Sequence, residues 1–312
     1  MYHIFVVGAG AVGGYFGARL AAAGEPVTFV CRGKTREAIR RGGLRIESVA
    51  GDLHLRPPTV ERPDGSVQAD LILWAVKEYH NREAFESVRP LVGERTTVLS
   101  LQNGVDPVDE LADAFGARKI VGGFAGLAAG VVEPGRIRHT AMGQITLGEL
   151  DGAVSERVRA IAQRLEKAGV PHRVSENIRR DLWGKLAWNA AFNPLSVILR
   201  ATVEELLNDL AALSILKRAM EEVVAVAKAE GHELSPRLLQ AYLNPPEPAK
   251  GFLTSMLQDF LKGRPMEVDA ISGAVVRCAR RRNVSVPVNE MYYDLLRYWD
   301  LRPDARFHLS AS

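Results

Sequence analysis

The opening stretch of the chain constrains its fold more than any other part. Residues 3–7, His-Ile-Phe-Val-Val, read as a buried β-strand. Gly8-Ala9-Gly10-Ala11-Val12-Gly13 follows at once, then a helical pattern over residues 15–23 and a second strand over 26–31. Three glycines at this spacing are a weak signal in isolation. Placed between a strand and a helix inside a strand–helix–strand unit, each acquires a physical reason. Gly8 permits the tight turn, and Gly10 lets the backbone approach a pyrophosphate. Gly13 lets the helix pack closely on the strand, so that the helix N-terminus faces phosphate charge. The sequence therefore predicts a dinucleotide held by the turn Gly8, Ala9, Gly10, Ala11, Val12 and Gly13.

The end of the second strand bears on which dinucleotide. An Asp or Glu about 20 residues after the glycines suits a ribose that carries no 2′-phosphate. Here the sequence is Cys31-Arg32-Gly33-Lys34, and Arg32 lies 19 residues past Gly13. A guanidinium both neutralises and hydrogen-bonds a phosphate. The expected cofactor is NADP(H), read through Arg32.

The first half of the chain alternates. Residues 69–76 and 96–101 read as buried strands, with a helical pattern over 82–88 between them. Such alternation implies a doubly wound, Rossmann-like parallel sheet. Residues 136–140 and 144–150, separated by Ala-Met-Gly, predict an appended hairpin, followed by a helix over 155–168 and a short strand over 171–174. Beyond about residue 176 helical periodicity runs through 178–199, 202–230, 236–243, 251–262, 268–282 and 288–298. The fold class is thus an N-terminal α/β doubly wound sheet, residues 1–175, plus an all-α C-terminal domain, residues 176–312. A cleft between two such domains is a common place for a site.

Near the start of the helical part stands a polar stripe. In Asp181-Leu-Trp-Gly-Lys-Leu-Ala-Trp-Asn-Ala-Ala-Phe-Asn-Pro-Leu, the residues Lys185, Asn189 and Asn193 recur every four positions. They share one helical face beside Leu182, Trp183, Leu186, Trp188 and Phe192. An ammonium and two amides amid so much apolar surface need hydrogen-bond partners, supplied by the protein or by a ligand. Lys77 and Gln102-Asn103-Gly104 end two of the predicted strands, where ligands of open α/β sheets bind. Ser255 and Glu267 flank the turn Lys262-Gly-Arg-Pro265.

Taken together, these residues resemble the ketopantoate reductase family. The matching pieces are the glycine turn, Lys77, Gln102-Asn103-Gly104, Gly143-x-Ile145-x-Leu147-Gly148, Trp183-x-Lys185-x3-Asn189-x3-Asn193-Pro194, and Ser255-Met-Leu-Gln-Asp259 followed by Glu267-Val-Asp269. They run in order along nearly the whole chain. The resemblance implies reduction of 2-dehydropantoate (ketopantoate) to pantoate by NADPH, a step toward pantothenate. It implies Lys185 as proton donor, and Asn189, Asn193 and Ser255 as substrate contacts. Asn103 would lie near both nicotinamide and substrate. Lys77, Glu267 and the backbone of Ala128 would hold the cofactor. At one position the chain departs: where some members carry a further substrate-contacting asparagine, it has Val203. That leaves open another NADPH-dependent 2-keto acid or β-hydroxyacid oxidoreductase of similar two-domain build. A more distant alternative is a non-catalytic NADP(H)-binding regulator.

Composition excludes several other classes. A net charge of +3 is small, and the arginines of 277–282 read as a solvated helix face, so nucleic acid is not an expected partner. Two distant cysteines, Cys31 and Cys278, give neither a disulfide framework nor metal spacing, and suit the cytoplasm. No run approaches the ~18 apolar residues of a membrane span. The expected partner is a small-molecule 2-keto acid, with a homodimer as candidate assembly.

Overall fold

The computed structural model describes residues 2–245 and 251–302, so residues 303–312 of the predicted second domain lie outside the described residues. The described chain divides into two compact units. The first runs to Gln102 and resumes at Pro107–Ile178; the second takes Asn103–Asp106 and everything described from Arg179 onward.

Short, fully buried strands build the centre of the first unit. β1 (Ile4–Val7), β6 (Leu71–Trp74) and β7 (Thr97–Ser100) are buried at every position, as strands covered on both faces must be. Between β1 and β6 lie α1 (Ala11–Ala22), β2 (Val27–Val30), α2 (Gly33–Gly42), β3 (Leu44–Ser48), β4 (Leu53–Leu55) and β5 (Thr59–Val60). After β6, and around β7, come α3 (Asn81–Val88), α4 (Pro107–Phe115), β8 (Ile120–Glu133), β9 (Arg136–Glu149), α5 (Glu156–Lys167) and β10 (His172–Val174). The sheet order is β4-β3-β9-β8-β7-β6-β1-β2-β5, with β10 pairing β9. From β5 across to β8 every pairing is parallel. The order reverses about β1, whose neighbours are β2 and β6, so the carboxyl ends of β1 and β6 meet at the switch point where such sheets bind ligands.

The predicted hairpin needs correction. Residues 136–140 and 144–149 belong to the single strand β9, and the antiparallel partner is β8. Ala-Met-Gly is a bulge, not a turn: Met142 and Gly143 both take positive φ, and the register shifts opposite them, between Gly126 and Leu127. One edge of β9 is shared, its first half pairing β3 and its second half β10. β8 gives no strand signal of its own. Its sequence, Ile-Val-Gly-Gly-Phe-Ala-Gly-Leu-Ala-Ala-Gly-Val-Val-Glu, is rich in glycine and alanine, which have low strand propensity.

The second unit is helical. α6 (Ile178–Leu199) enters it at Arg179. Then follow α7 (Val203–Asn208), α8 (Leu210–Ala229), α9 (Pro236–Leu243), α10 (Ser255–Leu261), a π-helical turn at Asp269–Gly273, α11 (Ala274–Arg282) and α12 (Pro287–Asp300). Its core joins Phe192, Leu195, Val203, Leu206, Leu216, Met220 and Tyr292. The pattern over 202–230 is two helices, not one. Asp209 is extended and its carboxylate accepts from Ala212 N, restarting the helix, while Thr202 and Glu205 form a capping box on α7. α10 starts later than the periodicity suggests, because Thr254 caps it by accepting from Leu257 N. Among the described residues no helix is long and apolar enough to cross a membrane.

Candidate active site

Each fingerprint glycine of the first unit has a different reason. Gly8 has φ +99°, and a Cβ there would sit 2.9 Å from the backbone of Ala75 and Val76 at the end of β6. A Cβ on Gly13 would collide with the Gly8 carbonyl oxygen and press on Ala75 and Val6. Both are therefore demanded by the protein itself. Gly10 is not: a Cβ there would meet nothing within 4 Å. It caps α1 in extended conformation, without a side-chain cap and without an acidic residue in the first turn. The early N–H groups of α1, at Ala11, Val12 and Gly13, have no intrahelical partners by construction of a helix. Open space before a positive helix end, kept clear by a glycine with no internal need for it, fits a pyrophosphate. Ala9 and Val12 pack against the sheet core and hold the turn in place.

Arg32 stands at the N-cap of α2, just past β2. Its guanidinium pairs with Glu83 of α3, both side chains being largely exposed. Burial and the charge of Arg32 together push the pKa of His80 down. Lys77, half-buried and extended, follows β6 by three residues. Ala128 is buried in β8, and its carbonyl accepts from Thr140 Oγ1 at 3.3 Å. Gln102 proves to be architectural. It is buried, and its Nε2 donates to Val76 O at 2.8 Å and Asn81 Oδ1 at 2.7 Å. Asn81 also accepts from Trp74 Nε1 and donates to Glu110. This network ties together the carboxyl ends of β6 and β7, and Asn81 and Glu110 carry no signal in the sequence.

In the second unit the polar stripe lies along α6 as its spacing requires. Lys185 is partly exposed, with Nζ 4.8 Å from the Trp188 ring centroid. Among the described residues no carboxylate pairs with it, and burial alone lowers its pKa to about 8. One turn on, Asn189 is 3% exposed, and its Nδ2 donates to Asn103 Oδ1 at 3.2 Å. Asn103 Nδ2 in turn donates to the buried carboxylate of Glu267 at 3.0 Å. A further turn along α6, Asn193 is 1% exposed, and neither its Nδ2 nor its Oδ1 has a partner among the described residues. Such orphaned amides are costly, and are kept where a ligand or water completes them. The fold thus gathers Asn103, Glu267 and Asn189 in one hydrogen-bonded chain, with Lys185 and Asn193 a turn to either side on α6.

Ser255 is the exposed first residue of α10. Its neighbour Thr254 is the buried one, and holds Ser196 Oγ of α6 at 2.7 Å, while Ser196 donates to the Asn193 carbonyl at 2.8 Å. Val203 is 7% exposed in the apolar core with Phe192 and Leu206. Arg277 is exposed, as expected for the solvated arginine face of 277–282, and it is also engaged. It donates to Asp106 at 2.6 Å and to the Asp269 carbonyl at 3.0 Å, pinning the loop that carries Asn103.

A sheet with this switch point and glycine turn, in a chain that continues as a helical unit carrying a desolvated lysine, defines a nucleotide-dependent oxidoreductase of two-unit build. Two family models match, "Ketopantoate reductase PanE/ApbA" over residues 4–152 and its C-terminal counterpart over 177–299. A 2-dehydropantoate 2-reductase of Nostoc sp. is 32% identical over 303 residues, covering 95% of each chain. The crystal structure of 2-dehydropantoate 2-reductase from Geobacter metallireducens is 34% identical with a TM-score of 0.90, covering 95% of this chain and 99% of that one. A D-mandelate dehydrogenase solved in complex with NADH is 25% identical with a TM-score of 0.87, covering 97% and 99%. The chain belongs to the ketopantoate reductase family.

Proposed function

We propose that this chain reduces 2-dehydropantoate to pantoate with NADPH, in the reducing setting of the cytoplasm that its two buried, unbridged cysteines suit. Bound NADPH supplies the hydride that reaches C2 of the keto acid. The protein's part is to hold the reactants and manage charge and proton. The backbone of Gly8, Ala9, Gly10, Ala11, Val12 and Gly13 cradles the pyrophosphate. Arg32 takes the 2′-phosphate, exchanging the Glu83 carboxylate for it. Lys77, Ala128 and Glu267 complete the hold on the cofactor.

As the C2 carbonyl accepts hydride, negative charge grows on its oxygen. Lys185 Nζ stabilises that charge and gives up a proton to it, forming the hydroxyl. The observation that carries this reading is Lys185 itself. It is an ammonium without a carboxylate partner among the described residues, set beside Trp188 and brought to a pKa of about 8. A structural lysine on an apolar helix would be expected to find an acid. A proton donor should stay unpaired and easily deprotonated near neutral pH. Asn189 and Asn193 offer uncharged amides to the substrate oxygens, so they do not compete for the proton. Asn103 and Ser255 are the remaining substrate contacts.

A second reading has one observation in its favour. Val203 is sealed in the core, so it offers no hydrogen bond where some family members are expected to carry a further asparagine. A reductase of a different small 2-keto acid would carry such a change. The test follows NADPH absorbance loss with 2-dehydropantoate, with 2-oxo-3,3-dimethylbutanoate, which lacks only the 4-hydroxyl, and with a phenyl-substituted 2-keto acid. The highest kcat/KM for 2-dehydropantoate supports the proposal. Equal rates with the dimethyl analogue, or preference for the aromatic acid, favour the second reading. Tight NADPH binding without turnover of any acid would point to a regulator.

A further inference from the structure

We propose that Glu267 is a positioning residue that sets the direction of the hydrogen-bond chain Glu267–Asn103–Asn189, and thereby fixes which polar group Asn189 offers the substrate. The proposal rests on the reading that Asn189 faces the keto acid. A primary amide can present either its oxygen or its NH2, and the two are nearly equal in shape. A carboxylate only accepts. Asn103 must therefore turn Nδ2 to Glu267, at 3.0 Å, which leaves its Oδ1 for Asn189. Asn189 must then donate Nδ2 to that oxygen, at 3.2 Å. Reversing either amide would set oxygen against oxygen, or N–H against N–H, beside groups that are almost wholly buried: Glu267 is 5% and Asn189 3% exposed. The loop between them cannot easily drift, because its far end is held by the Asp106–Arg277 pair at 2.6 Å.

The consequence is an asymmetry along α6. Asn189 has one N–H committed to Asn103, and keeps its carbonyl oxygen as a fixed acceptor. Asn193, whose amide has no partner among the described residues, can take either orientation. Asn189 is therefore the amide suited to read a substrate hydroxyl, which must donate; Asn193 adapts to whatever remains. A site built around a fixed acceptor rejects analogues that lack the hydroxyl.

A polarity swap tests this. Glu267→Gln supplies a side chain that donates or accepts, releasing Asn103 to turn over. Asn103→Asp sets two carboxylates against each other. The double variant restores the original direction at Asn189. The amide introduced at position 267 then donates to the carboxylate introduced at position 103, which accepts from Asn189, and the net charge is unchanged. Each single variant should raise KM for 2-dehydropantoate about tenfold or more, the worth of a hydrogen bond of this kind. Each should also erase the preference over 2-oxo-3,3-dimethylbutanoate. The double variant should recover both to within about threefold of the parent, a non-additivity expected only of groups acting through one another. Losses that simply accumulate in the double variant overturn the proposal. So does a defect of Glu267→Gln confined to the Kd for NADPH, which would make Glu267 a cofactor contact alone. Should a variant not fold, the parent enzyme labelled with 15N-asparagine gives a second measurement that needs no turnover. Side-chain amide protons of Asn103 and Asn189 should exchange slowly with solvent, and rapid exchange at both overturns the chain. A parent enzyme that shows slow exchange but reduces no 2-keto acid would refute the functional reading and leave the hydrogen-bond chain standing.

Discussion

Replacing Lys185 by methionine should make the protein more stable and nearly inactive. Burial lowers the ammonium's pKa from 10.5 to about 8. At about 1.36 kcal/mol per unit, that depression is a cost of about 3 kcal/mol for keeping the charged form folded. Lys185 is partly exposed, so solvent screening trims the figure to about 2 kcal/mol. Methionine keeps most of the volume and removes the charge. The sign follows from linkage: a lysine whose folded pKa is depressed costs stability in full below about pH 8. The cost fades between pH 8 and 10.5, as the folded protein loses the proton before the unfolded chain does. Calorimetric scans of both proteins from about pH 6.5 to 10 should show Lys185→Met melting about 4–8 °C higher at neutral pH, with the gap narrowing as pH rises. In the same preparation kcat for keto-acid reduction should fall by about 10²–10⁴-fold, as for loss of a general acid. A lower Tm at neutral pH, or a gain that does not change with pH, would refute the claim that a desolvated ammonium sits there.

Four other substitutions separate ligand-driven from structure-driven residues. Gly10→Ala should weaken NADPH binding at least about tenfold with little change in Tm, whereas Gly13→Ala should cost about 1–3 kcal/mol of stability, since its Cβ strikes the Gly8 carbonyl; fluorescence titration and thermal melts read the two effects. Arg32→Asp should weaken NADPH strongly and NADH little, and equal losses in the two titrations would remove Arg32 from 2′-phosphate recognition. Val203→Asn should lower stability by about 1–3 kcal/mol in thermal melts without raising kcat/KM for 2-dehydropantoate, because the amide would enter the cluster of Phe192 and Leu206.

Local pattern makes the centre of this fold legible. The short apolar-rich runs of β1, β6 and β7 read as covered strands, and the Lys185–Asn189–Asn193 spacing fixes one helical face. What stays hidden in the sequence depends on contacts between distant segments. β8 is strand only because β7 and β9 flank it; its glycines and alanines argue against it locally. The bulge at Met142 and Gly143 mimics a hairpin turn, because a positive-φ pair between apolar runs looks alike in both. In the site, Asn103 is legible from its place after a strand. Its membership of the helical unit follows from Glu267 and Arg277, which are 164 and 174 residues away in sequence. Arg277 gives no cue, since a clamp and a solvated arginine share one letter. Ser255 is legible from its motif, yet the buried group at that spot is Thr254, whose cap and link to Ser196 place the start of α10 against α6.

The most direct measurement of the central claim follows the transferred hydrogen. Incubating the enzyme with 2-dehydropantoate and NADPH deuterated at C4 of the nicotinamide, on the face from which hydride leaves, should yield pantoate with one deuterium at C2. One equivalent of product should form per cofactor oxidised, and Lys185→Met should form almost none. Cofactor oxidation without labelled pantoate, or undiminished labelling in Lys185→Met, would contradict the account.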